Sequence, residues 1–307
     1  RAAIEEGVDE RAGGGAGSGG GSPETVYVAS PGSDVSGNGS QGLPFQTIAK
    51  ALSTITTASA VQPWVVQVGP GVYPDPFHIK PWIAIVGVPS SGTGAGIDGR
   101  MPTEISAAPD TCDFSPSFAT GSFAVAWFAH LGFQNHQTWT QAAGIKPQLS
   151  YYDCAFVGGA SWLGGTNALG FDNVMLLDCI SYADLTVTGW QYLWLRQSNC
   201  FANVNVNSNA NGGAFTQALL ENSDMPFGSI FCNDHGFTAH AQAQLQNSYA
   251  QTVSLTGPNT DCTASGVGTA GLVRAGGAPV PVWPTYNPAV LANWSGTKPY
   301  SLANALD

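Results

Sequence analysis

Apolar and polar positions in the middle of this chain recur in columns. Leu149, Val174, Leu195, Leu220 and Leu245 align at steps of 25, 21, 25 and 25 residues. Four positions after each stands Asp153, Asp178, Asn199, Asp224 or Tyr249. Five positions after stands Cys154, Cys179, Cys200, Met225 or Ala250. Three copies read almost alike: LRQSNC from Leu195, LENSDM from Leu220 and LQNSYA from Leu245. The stretches between them are rich in Val, Phe, Thr and Asn, alternate over short distances and lack helical spacing. A period of this length, built from strands, predicts turns that stack on their own copies as a parallel β-helix. Equivalent positions of successive turns then lie about 4.8 Å apart. Apolar columns become internal ladders and polar columns external ones.

The pattern before the repeats predicts a start and a cap. Val26 and Val28 flank Tyr27 as in a first strand. After a Ser/Gly/Asn loop, Phe45, Ile48, Leu52 and Ile55 recur at helical spacing behind Pro44, which predicts an amphipathic helix closing one end of the coil. Trp64, Val66 and Val68 then alternate inward, Phe77 and Ile79 make a second strand, and Ile83 and Ile85 a third. Residues 123–133 fit one more rung, with Phe128 and Phe133 each 21 residues before Leu149 and Cys154. At about 24 residues per rung, nine or ten rungs fill a rod of roughly 45 Å.

The run from Tyr27 to Asp98 resembles the opening of pectin-lyase-like right-handed β-helix proteins. The matching pieces are YVASPGSDVSGNGS at 27–40, PFQTIAKAL at 44–52, VVQVGPGVY at 65–73 and IVGVPSSGT at 85–93. The resemblance implies an all-β, right-handed parallel β-helix with an N-terminal capping helix and an irregular C-terminal tail. Residues 1–23 read as an anchoring segment with a Gly/Ser linker (AGGGAGSGGGS at 12–22), residues 24–257 as the β-helix, and residues 258–307 as the tail. That Arg1 stands where Met is usual leaves open a trimmed start or proteolytic maturation of a longer precursor.

Composition narrows the partners. Charged residues make up 9% of the chain and the net charge is −11. Too few Lys and Arg are present to neutralise phosphate, so nucleic acid is not expected as a ligand. No apolar run is long enough for a transmembrane helix, so no membrane insertion is expected. The six cysteines show no C-x-x-C spacing. Cys154, Cys179 and Cys200 are expected as a buried thiol ladder rather than a disulfide.

Candidate chemistry lies in the polar column. Asp153, Asp178 and Asp224 could act as paired carboxylates on a glycan, or bind a cation such as Ca²⁺, with Glu221 and Arg196 on the same strands. The competing reading is a polar ladder chosen for turn hydrogen bonds. The signatures that the family's lyases, hydrolases and esterases carry are incomplete here. NDHG at 233–236 echoes a hydrolase motif without its partners. No metal ligand set and no obligatory cofactor are expected, and none of the five scattered His is read as a ligand. Trp162, Trp190 and Trp194, with Trp139 and Tyr192, are candidates for stacking on sugar rings. Asn203 to Asn211 alternate in NVNVNSNAN, read as a strand running into a loop with exposed amides.

Few charges, a tether and no complete catalytic signature lead to one expectation. The chain reads as a virion protein of a tailed bacteriophage, a tail or head spike or a capsid decoration protein at the particle surface. The resemblance implies a homotrimer; the chain would be joined to other virion proteins through residues 1–23 and would attach to host surface polysaccharide. A polysaccharide depolymerase, lyase or hydrolase, is the alternative, and a bacterial surface adhesin a further one.

Overall fold

A computed structural model of the chain describes residues 23–89, 101–108, 113–114, 123–140, 146–163, 172–189, 191–208, 215–233, 240–256, 260–265 and 269–275. All ladders between named strands are parallel, and they build two large sheets. The longer-stranded sheet holds ten strands in sequence order, from Glu24–Val28 through Trp64–Val68, Ile83–Val86, Phe123–Ala129, Lys146–Tyr152, Asp172–Leu177, Gln191–Arg196, Phe215–Glu221 and His240–Gln246 to Thr260–Ser265. The second sheet, of 13 strands, carries short strands such as Ala155–Phe156, Ile180–Ser181 and Asn199–Cys200. Four-residue strands follow them, such as Ala160–Leu163, Leu185–Thr188 and Val204–Asn207. Each of the four rungs between Phe123 and Asn207 thus contributes a long strand, a sharp corner, a short strand, a second corner and a four-residue strand. Parallel connections of this kind are right-handed, and the fold is the expected right-handed parallel β-helix.

Register shows how the core is stacked. One internal column runs Val26, Val66, Ile85, Phe128, Tyr151, Leu176, Leu195, Leu220 and Leu245. A second runs Ile83, Ala126, Leu149, Val174, Leu193, Ala218, Ala243 and Cys262. Like side chains meet face to face at strand spacing. Phe128 stacks on Tyr151 with centroids 4.8 Å apart, and Phe133 stacks on Phe156 at 5.2 Å. Trp139 and Trp162, partners in register, fill the same core. Each fully buried large apolar side chain contributes about 1.5–3 kcal/mol.

This register corrects the sequence alignment at one step. Leu149 pairs with Val174, but Val174 pairs with Leu193, and Leu195 pairs with Leu176. The rung between Leu176 and Leu195 is short, and the sequence columns slip by two residues there. Phe128 likewise stacks on Tyr151 and not Leu149. The ladder also runs on past residue 257, where the sequence reads as irregular, through Thr260–Ser265 and Thr269–Ala275. Residues 1–22 and 276–307 lie outside the described residues, as do Trp190 and Cys112.

The cap forms as the pattern predicts, though shorter. The helix α1 spans Ile48–Thr54 and buries Ile48, Ala51 and Leu52, while Phe45 packs just before it. Thr47 is its N-cap and accepts the Lys50 N–H at 3.1 Å. Asp34, from the Ser/Gly/Asn loop, accepts the N–H groups of Gln46 and Thr47 and the Thr47 hydroxyl. At the other end of the helix, Lys80 Nζ donates to the carbonyls of Leu52 and Ile55. Among the described residues, no helix is long and apolar enough to cross a membrane.

Candidate functional site

The sharp corner after each long strand explains the polar column. His130, Asp153, Asp178, Gln197, Asn222 and Asn247 all adopt left-handed backbone, with φ between 46° and 57°. Asn, Asp and His tolerate this conformation better than other non-glycine residues. Each corner N–H donates to the residue before the next corner: His130 to Tyr152, Asp153 to Leu177, Asp178 to Arg196, Gln197 to Glu221 and Asn222 to Gln246, at 2.9–3.1 Å. The six side chains therefore form one axial ladder on the edge of the rod.

The next position points inward; it is Leu131 after His130, and Cys or Ser at the later corners. Ser198 Oγ accepts the Cys179 N–H at 3.1 Å, Ser223 Oγ accepts the Ser198 N–H at 3.1 Å, and Ser248 Oγ accepts the Ser223 N–H at 3.0 Å. Each hydroxyl also faces the carbonyl two residues before it, as the Sγ atoms of Cys154 and Cys179 do. The inner corner column is thus Leu131, Cys154, Cys179, Ser198, Ser223 and Ser248. Cys200 sits two residues further on, in register with Ser181, so the expected ladder of three thiols is a pair. Cys154, Cys179 and Cys200 are buried thiols. Burial pushes the Cys200 thiol up to about 12.

The same shift divides the expected acids. Asp153 and Asp178 stand one rung apart in the corner ladder, whereas Asn199 and Asp224 belong to the neighbouring column with Tyr249. Asp224 is half-buried, and its Oδ1 has no hydrogen-bond partner. Burial raises its pKa against the Tyr249 N–H, which lowers it. Asp224 therefore does not join Asp153 and Asp178 in one site.

What does gather around Asp153 and Asp178 comes from the outward face of the long sheet. Asp153 Oδ2 lies 2.8 Å from His130 Nδ1, and both side chains are 15% exposed. The His130 ring meets Tyr152 edge-on at 5.5 Å. Asp178 is exposed. Partial burial, then the Asp153 charge, lift its carboxyl, and Arg196 opposes them. Burial and then the Asp178 and Asp153 charges raise the Tyr152 phenol. Arg196 and Glu221 are cross-strand partners, as their shared sequence offset implies, with Nε to Oε2 at 3.8 Å. Glu221 Oε2 also accepts the Trp194 indole N–H at 3.2 Å, and the guanidinium lies 5.9 Å from the Trp194 ring.

Beside this row the outward face is apolar. Val65, Ala84, Trp127, Ser150, Met175, Trp194 and Leu219 form one outward column. Ala84, Val86 and Ala129 are buried there against Val65, Trp127 and Tyr152. Trp82 packs on Trp127 at 6.5 Å, and holds a φ of 63° that a bulky side chain disfavours. Trp82, Trp127, Tyr152 and Trp194 are each partly exposed on this face, and Ser150 and Met175 stand between Trp127 and Trp194 in the column.

Of the side chains on this face, the sequence singles out Trp194 but not Trp82, Trp127, Tyr152 or His130. Its other aromatic candidates divide. Trp162 and Trp139 are 1% exposed and belong to the core, which removes them as glycan contacts. Among the described residues no group of three or more His, Cys, Asp or Glu is placed to hold a metal ion. The amides of Asn205 and Asn207 point outward as expected and bond along the stack, Asn205 to Thr186 at 3.3 Å and Asn233 to Asn207 at 2.8 Å.

No family model and no curated protein matches the chain. Among solved structures it is similar to a pectin methylesterase mutant in complex with a hexasaccharide, at 11% identity over 91% of this chain and 97% of that one, with a TM-score of 0.44. It is also similar to pectin methylesterase from Erwinia chrysanthemi, at 12% identity over 91% and 97%, with a TM-score of 0.41. For the enzyme from carrot the values are 11%, 85%, 86% and 0.36. At these identities no residue role is carried across.

Proposed function

We propose that this chain is a polysaccharide-binding β-helix that serves in attachment, as a spike or decoration protein on the surface of a tailed bacteriophage. The observation that carries the binding is the aromatic stripe of Trp82, Trp127, Tyr152 and Trp194, running beside the corner ladder of His130, Asp153, Asp178 and Gln197. Sugar rings present an apolar face and a rim of hydroxyls. Aromatic faces suit the first and carboxylate or amide side chains the second. In this reading residues 1–23 join the domain to other virion proteins, and three copies assemble side by side. The rod form, the Gly/Ser stretch at 12–22 and the sparse charge support that placement.

A depolymerase is the second reading, and Asp178 favours it. An exposed carboxyl with a raised pKa, one rung from an acid paired to His130, suits a proton donor beside a second carboxylate. Incubation of the full chain with a panel of bacterial surface polysaccharides, following both retention and chain length, separates the two. Retention without cleavage, lost in Trp127→Ala and Trp194→Ala, is the expected result. Shortened chains that Asp178→Asn leaves intact would make the corner an active site. Retention unchanged in both Trp variants would move the binding site elsewhere.

A further inference from the structure

The ligand's charge and direction follow from the same face, and this step rests on the binding proposed above. We infer that the bound glycan is uncharged and lies along the rod axis, advancing about one sugar ring per rung.

Direction comes from register. Trp127 and Trp194 occupy one outward column three strands apart, through Ser150 and Met175. The corner ladder beside them repeats over six successive rungs, from His130 to Asn247. Both features are axial: the corner ladder repeats at the strand spacing of about 4.8 Å, and the two tryptophans stand three such spacings apart. An extended pyranose chain advances per ring by a comparable length, so an axial chain meets the same hydrogen-bonding column at every ring. A chain crossing the rod would meet one aromatic ring and one corner.

Charge comes from the groups that face the stripe. Asp153, Asp178 and Glu221 are acids, and the chain as a whole carries −11. Arg196 is the only Lys or Arg between positions 147 and 273, and its guanidinium is held by Glu221 and the Trp194 ring. Asp153 is held by His130. A uronic acid polymer would set a carboxylate at nearly every rung against this row, and like charges at that distance repel. Neutral hydroxyls instead find acceptors on Asp178, and both donors and acceptors on Gln197, Asn222 and Asn247.

The test uses the full chain in affinity electrophoresis against neutral polymers (dextran, mannan, galactan) and uronate polymers (polygalacturonate, alginate, hyaluronate). Oligosaccharides of increasing length, taken from whichever polymer is retained, follow. The expected result is retention by a neutral polymer, little changed by salt, with affinity rising with length and levelling near about six rings. Asp153→Asn combined with Asp178→Asn is expected to admit a uronate polymer that the parent excludes. Equal or stronger retention by a uronate polymer, or affinity independent of length, overturns the inference while leaving glycan binding intact. Retention by no polymer overturns the binding itself, a result distinct from either.

Discussion

His130 Nδ1 lies 2.8 Å from Asp153 Oδ2, and the two residues hold the same left-handed corner in successive rungs. A turn constraint and a side-chain hydrogen bond thus meet at one position, and substitutions at Asp153 separate them. Asp153→Asn keeps a side chain that tolerates the backbone and removes the charge. Its expected cost is about 0.5–1 kcal/mol, as for partly exposed pairs. Asp153→Ala loses the pair and adds the left-handed penalty of about 1–2 kcal/mol. Denaturant midpoints for the two variants should differ by that second amount. Equal midpoints would mean that the corner is not strained.

Gln197 is the corner residue least suited to its backbone. Its φ is 52°, and its side chain is exposed. Its column neighbours are Asp178 and Asn222, both tolerant of that region. Gln197→Asn should therefore stabilise the protein by up to about 1 kcal/mol, because it relieves backbone strain without removing a buried contact. Thermal unfolding would show this as a small rise in Tm. A fall would point to a contact made by the Gln197 side chain.

Ser223 is a test of the inner corner. Its hydroxyl accepts the Ser198 N–H and faces the carbonyls of Leu195 and Glu221. Ser223→Ala leaves a buried N–H without a partner, at an expected cost of about 1–3 kcal/mol. Ser223→Cys should cost less, since Cys fills the equivalent position at 154 and 179 and places its sulfur near the same carbonyls. Hydrogen exchange at the Ser198 amide gives the direct reading, with faster exchange in the Ala variant than in the Cys one.

The same corner shows what the sequence could and could not disclose. Strand alternation at Val26 and Val28, the helix behind Pro44, and the 25-residue spacing of Leu195, Leu220 and Leu245 follow from local pattern and appear in the fold. The slip arose because Cys200 looks like Cys179, while the true equivalent of Cys179 is Ser198. A thiol and a hydroxyl of similar size do the same work at a corner, so identity of letters misled where similarity of hydrogen bonding would not. The aromatic stripe was illegible for another reason. Ala84 and Trp127 are neighbours across a rung of 43 residues, and no periodic signal spans an insertion of that length. Trp162 failed as a surface candidate because its strand alternation places it with Ala160 on the buried side.

Asp224 should make stability fall as pH rises. It is half-buried, its Oδ1 lacks a partner, and burial lifts its pKa above the ordinary carboxylate value in spite of the Tyr249 N–H. The folded state then holds the proton more tightly than the unfolded state does. Below the ordinary carboxylate pKa both states are protonated and the group costs nothing. As pH climbs from that value through the raised one, the folded state must ionise a poorly solvated carboxyl, and stability declines. Asp178 shifts in the same direction but is more exposed, so its share is smaller. Asp224→Asn removes the charge and keeps the shape. The variant should be more stable than the parent at neutral pH by on the order of 1 kcal/mol, the scale of one unsatisfied buried polar group. The two proteins should converge in acid. Paired thermal melts across the acid-to-neutral range would show the gap in Tm opening with pH. A gap that is constant with pH would assign the effect to packing, and a parent more stable at neutral pH would mean that the Asp224 carboxylate has a partner in solution.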